Sequence, residues 1–277
     1  MKLPKLEIKK LDDLEILREP VTSSHPLKVY PYFDEAFDLL QIAKSLQTNF
    51  DYAIDPFCGG GNSLLPIIKQ NIAKRGLGFD INPRAVKLAR QNCKHNKLEN
   101  SIEFYEHDIR NSIFTSSART LFIANPPFAL NAAQLVENKL RKKYKLFPMR
   151  NYRDGGESGL SFTKKFLEET IKVFKPQDCI IGLSYSLIDQ NGQIELESLI
   201  KNIIGNSSEY KLELFTDRKI WRGFDKLKTQ HNPMPVENIT LKADPENIDE
   251  LNLYKNAIKI LSAAGWSQIG YYYYIIY

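Results

Sequence analysis

Four successive apolar runs in this chain each end in Asp or Asn, and that repetition constrains the fold more than any other feature. Tyr52-Ala53-Ile54 runs into Asp55, Leu77-Gly78-Phe79 into Asp80, Ile102 to His107 into Asp108, and Thr120 to Ala124 into Asn125. Helical patterns separate the first three runs, over 62–74 and 83–96. Asn82-Pro83 opens the second, with proline where a helix needs no N–H donor. Further helices are expected at 162–174, 194–204 and 248–263, and further strands at 180–185, 210–215 and 271–276. Strands alternating with helices predict βαβ units and a parallel sheet covered on both faces. Ligands of such sheets bind at the carboxyl ends of the strands, where the four polar residues fall. Asp and Asn also cap helices, but Asn82 and Pro83 already start the helix after Asp80.

The chain has 277 residues, of which 43% are hydrophobic and 26% charged, and this excludes a mostly disordered or collagen-like polypeptide. Cys58, Cys93 and Cys179 are too few for a disulfide framework and lack zinc-site spacing, so a reducing cytoplasm is the expected compartment. No apolar run is long enough to span a membrane, and the charged N-terminus has no signal-peptide core. His25, His95, His107 and His231 share no spacing, and no metal is expected. A helix is predicted over 34–46 with Asp34 as its cap. Tyr271–Tyr274 reads as a strand pairing with the sixth strand at an antiparallel edge.

Between the first strand and its helix lies Asp55-Pro56-Phe57-Cys58-Gly59-Gly60-Gly61-Asn62. Three glycines allow close backbone approach and positive φ, and a helix N-terminus beyond them favours an anion. The Gly-Lys-Ser/Thr ending of a triphosphate loop is absent. Asp80 stands 19 residues past Gly61, where an acidic side chain accepts hydrogen bonds from the ribose hydroxyls of an adenosine-containing ligand. A nicotinamide dinucleotide and S-adenosyl-L-methionine both carry that ribose, and these two features do not separate them.

Asn125-Pro126-Pro127-Phe128 adds a third feature. With DPFCGGGN (55–62), GFDINPRAV (78–86) and HDI (107–109), it resembles the class I S-adenosylmethionine-dependent methyltransferases. More narrowly, it is similar to the group that methylates planar nitrogens through an Asn-Pro-Pro-aromatic motif. The resemblance implies a Rossmann-like α/β fold, with a mostly parallel seven-stranded sheet flanked by helices. It divides the chain into an N-terminal helical extension, 1–49, and a methyltransferase domain, 50–277. It implies S-adenosyl-L-methionine as cofactor, held by Asp55, Phe57, Cys58, Gly59, Gly61, Asn62, Asp80, Ile81, Asp108, Ile109 and Asn125. Asn125, Pro126, Pro127 and Phe128 become the catalytic candidates. Phe57 stands where the family usually has the first glycine of the loop.

The chemistry fits the motif. A planar amino nitrogen delocalises its lone pair and is a poor nucleophile. The Asn125 side-chain oxygen and the Pro126 carbonyl can each accept one of its N–H bonds, aiming the lone pair and stabilising the charge that develops. Consecutive prolines stiffen the loop, and Phe128 can stack on a planar acceptor.

Two acceptor classes follow from the resemblance. Asp154-Gly155-Gly156-Glu157-Ser158-Gly159-Leu160 resembles a signature of HemK-like release-factor glutamine methyltransferases, with Ser158 in place of an Asp. Asn-Pro-Pro-Phe with a later Gly-Gly-Glu is also similar to RNA adenine-N6 methyltransferases. Between these motifs, Glu137 to Arg153 carries seven basic residues against one acid, and the rest of the chain is close to neutral. A second basic-aromatic patch spans 218–228 and includes Trp221 and Phe224. These patches suit nucleic acid, RNA ahead of DNA, as the partner; a protein such as a release factor is the other expectation. A non-catalytic module that binds cofactor or RNA is the alternative from a different class.

Overall fold

A computed structural model describes residues 6–19, 29, 34–109, 111, 117–127, 158–205, 212–215, 233–236 and 248–277. The basic segment 137–153, the patch at 218–228 and Phe128 lie outside the described residues.

A two-stranded hairpin opens the chain, β1 (Glu7–Leu11) and β2 (Leu14–Arg18), followed by helix α1 (Asp34–Ser45). The parallel elements are β3 (Phe50–Asp55), α2 (Leu64–Lys69), β4 (Ala73–Asp80), α3 (Pro83–His95), β5 (Ile102–Glu106) and β6 (Thr120–Ala124). Then come α4 (Ser161–Ile171), β7 (Cys179–Asp189), α5 (Glu195–Ile204), β8 (Leu212–Phe215), β9 (Met234–Pro235), α6 (Ile248–Ala263) and β10 (Trp266–Ile276).

The main sheet has the order β5-β4-β3-β6-β7-β10-β8, and the two-residue β9 also pairs with β10. β3 pairs in parallel with both β4 and β6, β4 with β5, and β6 with β7. From β3 the chain winds outward through β4 to β5, then crosses back to β6 on the other side of β3. The order reverses between β3 and β6, which opens a crevice at their carboxyl ends.

Alternation along the strands builds two cores. Ala53, Leu121, Ile123, Ile181, Leu183, Tyr271 and Tyr273 face α1, α2, α3 and the hairpin. Ile54, Phe122, Ala124, Ile180, Tyr272 and Tyr274 face α4 and α5. The tyrosine run is thus a strand buried on both faces, and the Tyr273 hydroxyl donates to the buried Asp38 carboxylate on α1.

Three sequence expectations change. The expected antiparallel edge strand is internal: β10 lies between β7 and β8 and pairs with both, leaving β8 at the edge. The helix expected over 62–74 stops at Lys69, because Asn71 takes a left-handed φ of 56° and the chain turns into β4 at Ala73. The stretch before residue 50 holds a hairpin as well as a helix. Leu11, Leu14 and Ile16 of that hairpin are buried in the core under α1 to α3.

Candidate functional site

The loop leaving β3 carries the glycines across the end of β4. Cys58 N–H donates to the Phe79 carbonyl at 2.9 Å, and Gly59 N–H to Asp80 Oδ2 at 3.0 Å. Gly61 N–H closes the turn on the Cys58 carbonyl at 2.7 Å. Gly59 has φ 52°, and a Cβ there would meet no atom within 4 Å. Its backbone therefore faces open space and leaves room for a ligand. Gly61 is glycine for another reason: at φ 85° its Cβ would lie 2.3 Å from Leu65 Cδ1.

Two carboxylates flank this loop. Asp55, 1% exposed, accepts from Phe57 N–H at 3.0 Å through Oδ1, while its buried Oδ2 has no hydrogen-bond partner among the described residues. Asp80 accepts from Gly59 N–H and, through Oδ1, from Asn82 N–H at 2.8 Å. Burial pushes Asp55 up to about 7, with the nearby Asp80 charge adding to the rise, and burial pushes Asp80 up to about 6. Burial also raises the Cys58 thiol well above its ordinary value, so this cysteine is not a thiolate nucleophile at neutral pH.

The raised carboxylates predict a pH dependence of the unliganded chain. Both titrate above the ordinary value of 3.8, so the folded chain holds protons that the unfolded chain has released. Their contribution to stability is complete below about 4 and is lost as pH rises through about 6 and 7. Urea unfolding should show Asp55→Asn more stable than wild type at pH 8, with the difference shrinking at pH 5. A difference that grew towards pH 5 would contradict this electrostatic picture.

The remaining sequence candidates gather around the same strand ends. Ile81 is 43% exposed beside Asp80, and Ile109 is buried. His107 N–H donates to the Asp80 carbonyl at 3.0 Å, which brings the 107–109 segment alongside the end of β4, with Asp108 half-buried. Asn62 is buried behind the glycines. Phe57 turns the other way: its ring packs edge-on against Phe162 and Phe166 of α4, at 6.2 and 6.1 Å. An aromatic residue is thus accommodated at the usual glycine position by the second core.

Asn125 follows β6 directly, next to β3 in the sheet. Its Oδ1 is buried and has no hydrogen-bond partner among the described residues. Pro126 is buried and Pro127 half-buried. Asn125 thus presents a desolvated acceptor at the carboxyl end of β6, the strand on one side of the crevice.

The arrangement discriminates between ligands. The helix after the glycines has only six residues, too short for the anion site expected from the sequence. Two buried carboxylates beside the loop repel a pyrophosphate and favour a cationic ligand. Asp80 retains lone pairs for ribose hydroxyls beyond its two backbone bonds. These residues fit S-adenosyl-L-methionine, with its amino and sulfonium charges, better than a dinucleotide. Among the described residues no group of His, Cys, Asp and Glu is arranged to hold a metal, and no helix is long and apolar enough to cross a membrane.

Sequence reasoning missed Asn92. It is fully buried on α3, and its Nδ2 donates to the Gly60 carbonyl at 2.9 Å, bonding the helix to the loop. The available signal was Asn92, in the last turns of a predicted helix, where Asn is unfavourable without a partner.

Comparison with known proteins agrees with the fold. Residues 32–142 match the model of the TRM5/TYW2 methyltransferase domain. A release factor glutamine methyltransferase of Borreliella burgdorferi is 27% identical over 184 residues, covering 66% of this chain and 54% of the relative. The chain spans about half the length of the curated relatives it matches. Trm5b of Pyrococcus abyssi superposes with TM-score 0.52 at 18% identity, over 78% of this chain and 51% of that one. M. jannaschii TYW2, solved in complex with AdoMet, superposes with TM-score 0.51 at 14% identity, over 99% and 88%. The chain therefore has the class I methyltransferase fold, and its residues 32–142 carry the pattern of the TRM5/TYW2 methyltransferase domain.

Proposed function

We propose that this chain is an S-adenosyl-L-methionine-dependent methyltransferase acting on a planar nitrogen, with RNA as the acceptor. The observation that carries this reading is the buried Asn125 Oδ1 at the end of β6, which has no hydrogen-bond partner among the described residues and lies next to the strand that carries the carboxylate-flanked glycine loop. A buried acceptor without a donor is costly, and an incoming N–H offsets that cost.

When bound, the cofactor supplies a methyl group already activated on a sulfonium. The protein's task is then to hold and orient. Asp80 accepts the ribose hydroxyls, and Gly59 offers open backbone to the methionine portion. Asp55, Phe57, Cys58, Gly61 and Asn62 shape that loop, and Ile81, Asp108 and Ile109 surround the adenine. Asn125 Oδ1 and the Pro126 carbonyl accept the two N–H bonds of the acceptor, so that its lone pair points at the methyl group. Pro127 fixes the loop, and Phe128 stacks on the acceptor plane. The nitrogen sheds its proton after transfer, so no dedicated base is required. The division into an extension, 1–49, and a catalytic domain, 50–277, belongs to the same reading, as does a cytoplasmic location.

RNA is favoured by charge. The excess positive charge of the sequence lies in 137–153, directly after the Asn-Pro-Pro-Phe motif. Among the described residues, Lys87, Arg90 and Lys94 line a groove of about 550 Å³ beside the end of β5, with Glu106 as its acidic member. Replacing Lys142, Lys143 and Lys145 by Glu should weaken RNA binding by more than tenfold and flatten its salt dependence. Unchanged binding in a filter assay would remove the segment from the interface.

A protein glutamine is the second reading, favoured by the match to the B. burgdorferi release factor glutamine methyltransferase. Incubation with radiolabelled methyl donor and cell extract, then separate digestion with nuclease and protease, distinguishes the two. Label released by nuclease supports RNA, and label released only by protease replaces it with the glutamine reading. No transfer to either overturns the enzyme and leaves a non-catalytic cofactor- or RNA-binding module.

A further inference from the structure

We propose that Asn92 is a positioning residue for the glycine loop, linking the docked β1–β2 hairpin to the backbone that receives the ligand. The consequence for cofactor binding rests on the methyltransferase reading above; the mechanical coupling does not.

The hairpin is attached to α3 by its backbone. Leu17 N–H donates to Asn92 Oδ1 at 2.7 Å, and Asn92 Nδ2 donates to the Leu17 carbonyl at 3.0 Å. One turn on, Asn96 repeats the pattern: Glu15 N–H donates to its Oδ1 at 3.1 Å, and its Nδ2 donates to the Glu15 carbonyl at 2.9 Å. Two asparagines on one helix face thus pair with alternate residues of β2, as a neighbouring strand would. The Arg84–Glu19 ion pair and a His95 Nε2 contact with Glu15 Oε2 at 3.1 Å lie on the same seam. At the hairpin turn, Asp12 accepts from Gln70 Nε2 at 3.0 Å and from Lys44 Nζ at 3.4 Å, which ties it to α2 and α1.

The two asparagines differ in one bond. The second hydrogen of Asn92 Nδ2 reaches the Gly60 carbonyl, between the two left-handed glycines 59 and 61. A Cβ at Gly60 would stand 3.6 Å from that nitrogen and 3.4 Å from Leu88 Cδ2, so the loop rests directly on α3. Asn92 saturates both donors, one on the hairpin and one on the loop. The hairpin fixes the amide plane, and the amide plane fixes Gly60. Gly59, whose N–H is held by Asp80, is the next residue. Asn96 instead gives its second Nδ2 hydrogen to the Asn92 backbone carbonyl at 2.8 Å, so it docks the hairpin without touching the loop and is the internal control.

The test compares Asn92→Asp and Asn96→Ala in the full chain. Asp keeps the shape and the acceptor for Leu17 N–H but removes both donors. Amide hydrogen exchange of residues 58–62 in the unliganded chain should accelerate about tenfold or more in N92D and stay at the wild-type rate in N96A, which lowers only the thermal midpoint. Calorimetry with S-adenosylhomocysteine should show affinity lowered about tenfold in N92D and unchanged in N96A, with turnover at saturating cofactor within about twofold of wild type. If N92D does not fold, Asn92→Ser, which keeps a hydroxyl too short to reach Gly60, serves with the same expectations. Equal loop exchange in wild type and N92D, or equal acceleration in N96A, overturns the proposal. A wild-type chain that binds no S-adenosylhomocysteine overturns the methyltransferase reading, and the exchange result still decides the coupling.

Discussion

Replacing Asn125 by Ala is expected to slow methyl transfer by about 10²–10³-fold while cofactor affinity stays within a few-fold of wild type. The expectation follows from where charge develops. Transfer converts a neutral planar nitrogen into a cationic one, and a preorganised oxygen beside it is worth more in that state than when the free acceptor binds. The Asn125 oxygen meets the requirement of preorganisation. It is buried and has no partner among the described residues, so none of their donors has to be displaced when the acceptor arrives. The same feature predicts a second, opposite effect. Removing an unsatisfied buried oxygen should leave the thermal midpoint of the unliganded chain unchanged or raised, because its desolvation penalty disappears with it. Loss of activity with retained stability separates a catalytic from a structural asparagine. Turnover within about twofold of wild type would remove the catalytic role.

Replacing Asp80 by Asn should weaken S-adenosylhomocysteine binding about 10²-fold or more. On the proposed function the carboxylate has two tasks. It accepts from Gly59 and Asn82 N–H, which pins the glycine loop to the end of β4, and it holds the lone pairs offered to the ribose. An amide keeps the shape but turns one acceptor into a donor facing an N–H group. Hydrogen bonds to charged groups contribute about 1.5–3 kcal/mol each, and losing one or two gives a change of this order. Because burial lifts Asp80 to about 6, wild-type affinity should also fall as pH drops below that value, while the Asp80→Asn variant has no such titration. Calorimetry of both proteins at pH 5.5 and 8 checks both statements. Equal affinities at pH 8 would remove Asp80 from the ribose role.

The crevice was legible in the sequence because each strand before it is short, apolar and closed by one polar residue. Asp55, Asp80 and Asn125 could be placed at strand ends with no tertiary information. The partners of those groups were not legible. That Asp80 would grip Gly59 depends on β4 lying directly beside β3, and that one Asp55 oxygen would find no partner among the described residues depends on how the loop turns. The hairpin was hidden for a different reason. Four of the five residues of β1 are exposed, so the strand shows no alternation, and its partner β2 is held by Asn92 and Asn96, roughly 75–80 residues away in sequence. The short helix α2 was overextended because Gln70, Ala73 and Lys74 are good helix formers and outvote Asn71 in the pattern. The left-handed Asn71 ended it, so that Ile72 and Ala73 could enter the core. Similarly, the antiparallel nature of Tyr271–Tyr274 could be read from its place in the chain, but not its insertion between β7 and β8.

A crystal structure of the chain with S-adenosylhomocysteine tests the central claim most directly. The account predicts the ligand in the crevice between β3 and β6, its ribose hydroxyls on Asp80, its amino acid portion along Gly59, and its sulfur facing the Asn125 side chain. A ligand bound elsewhere, or a crevice left empty at saturating concentration, would contradict it.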